Sequence, residues 1–117
     1  MSLSTRALAL SLAIAGLTLA ACGEDLPSVD CSTTPVPTYA QVNAFTVSCN
    51  TCHASTLSGA ARFGAPPGVD YDTYAVAKIH AEDAALEVFA GRMPETGALP
   101  DGDADVLYRW ALCGTPP

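Results

Sequence analysis

Cys49, Cys52 and His53 lie within five consecutive residues, in the stretch CNTCH. Two thiols and an imidazole at this spacing suit a redox-active dithiol, a zinc site or covalent attachment of haem. A thioredoxin-type dithiol would follow a strand of an α/β unit, and the sequence has no strand pattern. A structural zinc would want four ligands, usually in two spaced pairs, and His80 is the only other histidine. Cys-x-x-Cys-His is the haem c attachment pattern, in which the thiols reach two vinyl groups and the adjacent imidazole reaches iron.

The beginning of the chain predicts export. Residues 7–21 are small or apolar apart from two hydroxyl residues, a run too short to span a bilayer comfortably but typical of a secretory signal. The run ends in LAAC, residues 19–22, which resembles the lipobox of bacterial lipoproteins. That resemblance implies a signal peptide over 1–21 and a lipid on Cys22, which would anchor the protein to a bacterial membrane facing the periplasm or the cell exterior. An ordinary signal peptide that adjoins a cysteine is the alternative.

The remaining 96 residues, 22–117, are enough for one small domain with one core. Removal of residues 1–21 takes away one of the five basic residues and none of the twelve acidic ones, which leaves a net charge of −8. Nucleic-acid binding needs a basic surface, so the charge excludes that class of function.

Cys31 and Cys113 are the cysteines left after Cys22 and the CNTCH pair are assigned. A leftover pair in an exported protein usually forms a disulfide, and we therefore predict one between them. Two free or intermolecularly paired thiols are the alternative.

The hydrophobic pattern predicts an all-α domain with about three helices and long loops. Residues 22–37 are polar and rich in Ser, Thr and Pro, which is typical of a tether, and residues 38–117 form the domain. A first helix should begin after Thr38 and lead into CNTCH, and a second should run over about 73–90, with Asp72 as the candidate cap and Gly91 as the stop. A last helix should start at Asp101 or Asp103 and end before Gly114.

The domain resembles a single-haem, class I-type cytochrome c over about residues 39–114. The matching features are a helix entering CNTCH, the loop GAPPG, the loop GRMPETG and a closing helix with an aromatic residue. The resemblance implies one covalent haem c with His53 and Met93 as axial iron ligands. It also implies that a carbonyl of the proline stretch, Pro66 or Pro67, accepts the other ring N–H of His53. Where the family usually has a glycine in its first helix, this chain offers only Ala40 or Ala44.

Met93 is the only thioether left once the signal peptide is removed. Its soft, neutral sulfur raises the potential of haem iron relative to a second nitrogen donor. Two alternatives are a packing role for Met93 and His80 as the distal ligand.

Two filled axial positions leave no vacant site for a substrate, so iron would be restricted to one-electron exchange. We therefore expect a membrane-tethered electron carrier rather than an enzyme, with redox proteins as partners. A haem-based sensor of small ligands, or an accessory haem subunit of a larger oxidoreductase, is the alternative. The haem would be covered by apolar residues that are core residues first, namely Phe45, Ile79, Phe89, Leu99 and Trp110.

Overall fold

The computed structural model describes residues 23–100 and 102–117, so the predicted signal peptide and Cys22 lie outside the described residues. The described part is helical and contains no β-strand, as expected for an all-α protein. It has four α-helices: α1 (Asn43–Val47), α2 (Tyr74–Ile79), α3 (Ala81–Phe89) and α4 (Asp103–Leu112). Three short 3₁₀ turns accompany them, at Tyr39–Gln41, Cys49–Thr51 and Gly59–Arg62.

The predicted first helix is divided into three short pieces. Val42 (φ −79°, ψ 79°) and Ser48 (φ −133°, ψ −59°) leave the helical region, so the first 3₁₀ turn, α1 and the second 3₁₀ turn change direction between them. The bend at Val42 places its side chain in the core, where it is 2% exposed. The element still leads directly into the CNTCH stretch, and α1 therefore positions that motif.

A single helix over 73–90 is wrong, because the chain breaks at His80. His80 has φ −101° and ψ 17°, and its ring Nε2 lies 3.2 Å from the Gly68 carbonyl oxygen of the preceding loop. The result is two helices, α2 and α3. The prediction of Asp72 as the cap is also wrong, because the N-cap residue of α2 is Thr73. The predicted stop is present: Gly91 adopts φ 72°, which glycine tolerates without strain.

α4 packs against α1 and α3 to form the core. Its Leu107 and Trp110 are fully buried, and the Trp110 ring meets Phe45 edge-on with centroids 5.3 Å apart. α1 contributes Ala44, which is fully buried, whereas Ala40 is exposed. Ala44 is thus the small residue that lies where α1 meets α4.

Two residues predicted to belong to the core are exposed instead. Ile79 is 76% exposed and Phe89 is 52% exposed, while Leu99 is half-buried against the core. Tyr74 and Val88 pack against the core while only partly buried, and the buried residues that α2 and α3 contribute on either side of the break at His80 are all alanines. These are Ala77, Ala81, Ala84 and Ala85.

The segment 23–37 has no helix but is fastened to the domain. Cys31 and Cys113 lie at disulfide distance, with Cα atoms 5.3 Å apart, as the predicted pairing requires. Arg109 Nη2 donates to the Thr33 carbonyl (2.6 Å), and Arg92 Nη2 donates to Glu24 Oε2 (3.0 Å).

Candidate functional site

The CNTCH stretch folds into one tight turn that is anchored on a single carbonyl. The N–H groups of Cys52 and His53 both point at the Cys49 carbonyl oxygen, at 3.2 and 2.9 Å. Side chains three residues apart eclipse one another in a 3₁₀ turn, so this backbone favours both thiols on the same side of the turn. Both cysteines are free and half-buried. Two thiols on one side of a rigid turn can react with two points of the same bound group.

Burial also affects the chemistry of Cys49. Its removal from water raises the pKa of the Cys49 thiol to about 11, because the charged thiolate is poorly solvated there. A redox-active dithiol normally contains a thiol with a lowered pKa, since the thiolate is the nucleophile. The surroundings of Cys49 therefore do not favour thiol–disulfide exchange as its role.

His53 is oriented by three contacts. Its Nδ1 lies 2.8 Å from the Val69 carbonyl oxygen, its own carbonyl accepts from the Tyr71 N–H at 2.8 Å, and its ring meets the Tyr71 ring edge-on at 5.3 Å. Tyr71 in turn stacks on Phe45 with ring centroids 5.0 Å apart, which connects the site to the core.

The contact with Val69 decides the tautomer of His53. A carbonyl can only accept a hydrogen bond, so Nδ1 must carry the proton. In a neutral imidazole the other nitrogen, Nε2, then has a free lone pair. This is how metal-ligating histidines are commonly prepared, with one nitrogen fixed by a backbone carbonyl and the other directed at the metal.

The expected acceptor for His53 was Pro66 or Pro67, and the structure differs. The carbonyl opposite Nδ1 belongs to Val69, while the Pro66 carbonyl accepts from Arg62 Nη2 at 2.7 Å. The left-handed glycine Gly68 (φ 84°) turns the chain after the prolines, so the acceptor lies further along the loop. Nothing in the residue type of Val69 marks it for this role, since a backbone carbonyl is present at every position.

Arg62 organises the loop that carries this carbonyl, and sequence reasoning missed it. Its side chain is buried, with the residue only 4% exposed, and all five of its N–H groups point at backbone carbonyls. The acceptors are Ala54, Leu57, Ala65, Pro66 and Val69. Asp70 Oδ1 lies 2.8 Å from Nη2 as the counter-charge but receives no hydrogen bond. In the sequence, the only sign of this role is that Arg62 is a single basic residue in the loop segment between Gly59 and Gly64.

A hydrogen-bonded pair closes the same loop at its ends. The Asp72 carboxylate accepts from the Ser55 hydroxyl at 2.7 Å and from the Ser55 N–H at 3.0 Å. These hydrogen bonds, the hydroxyl one above all, hold the pKa of Asp72 below its usual value because they stabilise the charged form. Asp72 thus joins Ser55, the second residue after the CNTCH stretch, to the start of α2.

Met93 lies in the loop after α3, which lines a cleft of about 530 Å³. The Met93 N–H donates to the Glu87 carbonyl at 3.1 Å, and the residue is half-buried. Val88, Leu99 and Tyr108 give the cleft an apolar wall, but His53 does not line it. The structure thus places the two expected axial ligands in different surroundings.

His80 is engaged elsewhere. Its Nε2 lies against the Gly68 carbonyl at 3.2 Å, and its Nδ1 lies 3.9 Å from Asp83 Oδ2. A ring nitrogen opposite a carbonyl must be protonated, so Nε2 has no lone pair to offer in this arrangement. These contacts do not favour His80 as a metal ligand.

Residues 23–100 and 102–117 contain no group of three His, Cys, Asp or Glu side chains that could hold a metal ion. Within the same ranges, no helix is long and apolar enough to cross a membrane.

Comparison of the chain with protein-family models, with curated proteins and with solved structures finds no match to any of them. The case for a function therefore depends on the residues and their geometry.

Proposed function

We propose that the protein is a membrane-tethered c-type cytochrome that carries single electrons through one haem attached to Cys49 and Cys52. The observation that carries the proposal is the state of His53, whose Nδ1 is fixed by a backbone carbonyl so that Nε2 is free to bind iron. The adjoining thiols on one tight turn supply the attachment points.

The fit between these residues and haem c is chemical. Cys49 and Cys52 would hold the group through two thioether bonds, each made by adding the whole S–H across one vinyl group, so that no leaving group and no oxidant would be needed. The reaction needs both thiols reduced, and Cys49 and Cys52 are free. When bound, haem iron supplies a one-electron couple that exchanges electrons without breaking bonds.

Met93 is proposed as the second axial ligand. It is half-buried in a cleft that has one apolar wall, and a thioether there would exclude water from iron and favour the ferrous state. Phe89, which is exposed, lies edge-on to Tyr108 at 6.1 Å beside the same cleft. Apolar side chains left at the surface here are suited to cover an apolar macrocycle.

The attachment is tested in protein exported by a host that matures c-type cytochromes. We expect haem to remain with the polypeptide through acid–acetone extraction, and intact mass to show one haem per chain. Replacement of both Cys49 and Cys52 by Ala should abolish attachment. The matched control, Cys31→Ala with Cys113→Ala, also removes two cysteines but should keep the haem.

Release of haem by solvent, or zinc in place of iron in the wild-type protein, would refute the proposal. A high-spin spectrum in the wild-type protein would refute the electron-carrier role and support binding of a small ligand at iron instead.

A further inference from the structure

Arg62 and His53 are hydrogen-bonded to the same backbone carbonyl. The Val69 oxygen lies 2.8 Å from His53 Nδ1 and 3.2 Å from Arg62 Nη2. A carbonyl oxygen has two lone pairs and can accept both bonds at once. The position of the acceptor that orients His53 therefore depends on the position of the Arg62 guanidinium.

The guanidinium is itself fixed in place. Each of its five N–H groups is directed at a carbonyl of the loop between residues 54 and 69, and Asp70 balances its charge at 2.8 Å. Arg62 and Asp70 are both buried, at 4% and 8% exposure. Because no N–H remains unused, Arg62 has no donor left for a bound ligand, and its contacts serve the loop alone.

We propose that Arg62 is the positioning residue for His53. The planar guanidinium, whose N–H groups point in fixed directions like a fork, holds the Val69 carbonyl against His53 Nδ1. This contact fixes the tautomer of His53 and the plane of its ring. Asp70 keeps the guanidinium in place as its counter-ion. The consequence for iron ligation rests on the proposed function, whereas the contacts among Arg62, Val69 and His53 do not.

The shape of the side chain matters as well as its charge. Lysine carries the same charge beside Asp70 but has three donors on one nitrogen, so it cannot reach acceptors on both sides of the fork. Arg62→Lys therefore keeps the charge pair and loses the fork, which separates positioning from charge compensation.

The test measures the hydrogen exchange of two side-chain N–H groups by NMR in the reduced, diamagnetic holoprotein. His53 Nδ1–H reports on the site, and Trp110 Nε1–H, bonded to the Pro116 carbonyl at 2.8 Å, reports on the core outside this loop. In Arg62→Lys we expect the His53 proton to exchange faster and the Trp110 proton to be unchanged. The paramagnetic shift pattern of the oxidised protein, which depends on the plane of the axial imidazole, should also change.

Arg109→Lys is the matched control. Arg109 also fastens a segment through backbone carbonyls, at Thr33 and Pro35, and these acceptors belong to the N-terminal segment and not to the loop that carries Val69. That substitution should leave the His53 exchange rate and the shift pattern at their wild-type values.

Three results would overturn the proposal: wild-type exchange and shifts in Arg62→Lys, equal acceleration of both protons, or failure of every Arg62 variant to fold. If Arg62→Lys alone does not fold, Arg62→Gln with Asp70→Asn, which leaves no unpaired buried charge, is measured in the same way. Absence of haem from the wild-type protein would refute the proposed function only. The exchange comparison in the haem-free chain would then still decide whether Arg62 positions His53.

Discussion

His53 and Met93, the two proposed axial ligands, are held very differently by their neighbours. His53 is fixed through its ring nitrogen, its backbone carbonyl and its contact with Tyr71. Met93 follows Gly91 in a loop, and its only backbone hydrogen bond within the described residues is to Glu87. We therefore expect ligand exchange at iron to occur on the Met93 side.

The first prediction concerns Met93 as the exchangeable ligand of iron. Met93→Ala should open the sixth coordination position, admit water or carbon monoxide, and lower the reduction potential, because a thioether favours ferrous iron. Met93→His should stay low-spin but also lower the potential. Visible spectra and a redox titration measure both effects.

Leu99→Ala is the control, since it removes an apolar side chain from the same cleft without removing an iron ligand. It should keep a low-spin spectrum. An unchanged spectrum and potential in Met93→Ala would instead make Met93 a packing residue, and the distal ligand would have to be sought elsewhere.

At the level of elements, α1 is a helix of five residues whose position depends on α4. So short a helix is not stable on its own, and its packing against α4 through Ala44 and Phe45 must hold the CNTCH turn in place. The contact between α1 and α4 therefore supports the site indirectly.

Ala44→Leu should destabilise the protein. Ala44 is fully buried where α1 meets α4, and forcing a larger side chain into a packed contact costs about 1–3 kcal/mol. Ala40→Leu is the matched control, because Ala40 is exposed and the same substitution there should have little effect. Urea denaturation measures both, and equal losses of stability would show that Ala44 is not at a constrained contact.

At the level of the whole molecule, the N-terminal segment is not a free tether. The contacts of Arg109, Arg92 and the Cys31–Cys113 pair hold residues 23–37 against the domain. The anchor that we predict on Cys22, outside the described residues, would then be separated from the domain by only a few residues.

Removing the Cys31–Cys113 link should lower stability without removing the haem. The two cysteines are 82 residues apart, and the chain-entropy model gives an upper value of about 4.5 kcal/mol for closing a loop of that length. Cys31→Ser with Cys113→Ser should lower the urea midpoint, and the wild-type protein in reductant should match it. If both thiols of the exported protein can be alkylated without reductant, the disulfide is absent.

Cys22→Ser should release the protein from the membrane. Several acyl chains on a lipoprotein cysteine hold a protein stably, whereas the described residues contain no spanning helix. Fractionation of cells should find the wild-type protein with membranes and the variant in the soluble fraction. A variant that is still membrane-bound after signal cleavage would reveal another anchor.

The sequence by itself identified the residues whose chemistry depends on side-chain type and local spacing. CNTCH contains two thiols and an imidazole within five residues. Once the predicted signal peptide and the predicted lipid on Cys22 are set aside, Met93 would be the only thioether, and Cys31 and Cys113 the only unassigned cysteines. The all-α class followed from helical spacing, which is also a local property. None of these inferences needs knowledge of where distant residues meet.

Only the tertiary structure identified the Val69 carbonyl as the partner of His53, Arg62 as the residue that holds it, and His80 as the break between α2 and α3. Every residue has a carbonyl, so its role is set by its position and not by its type. A buried arginine is recognised only when its acceptors and its counter-charge at Asp70 are seen together. The break at His80 likewise coincides with its contact with Gly68, twelve residues earlier, and a contact with another segment can override local helix preference.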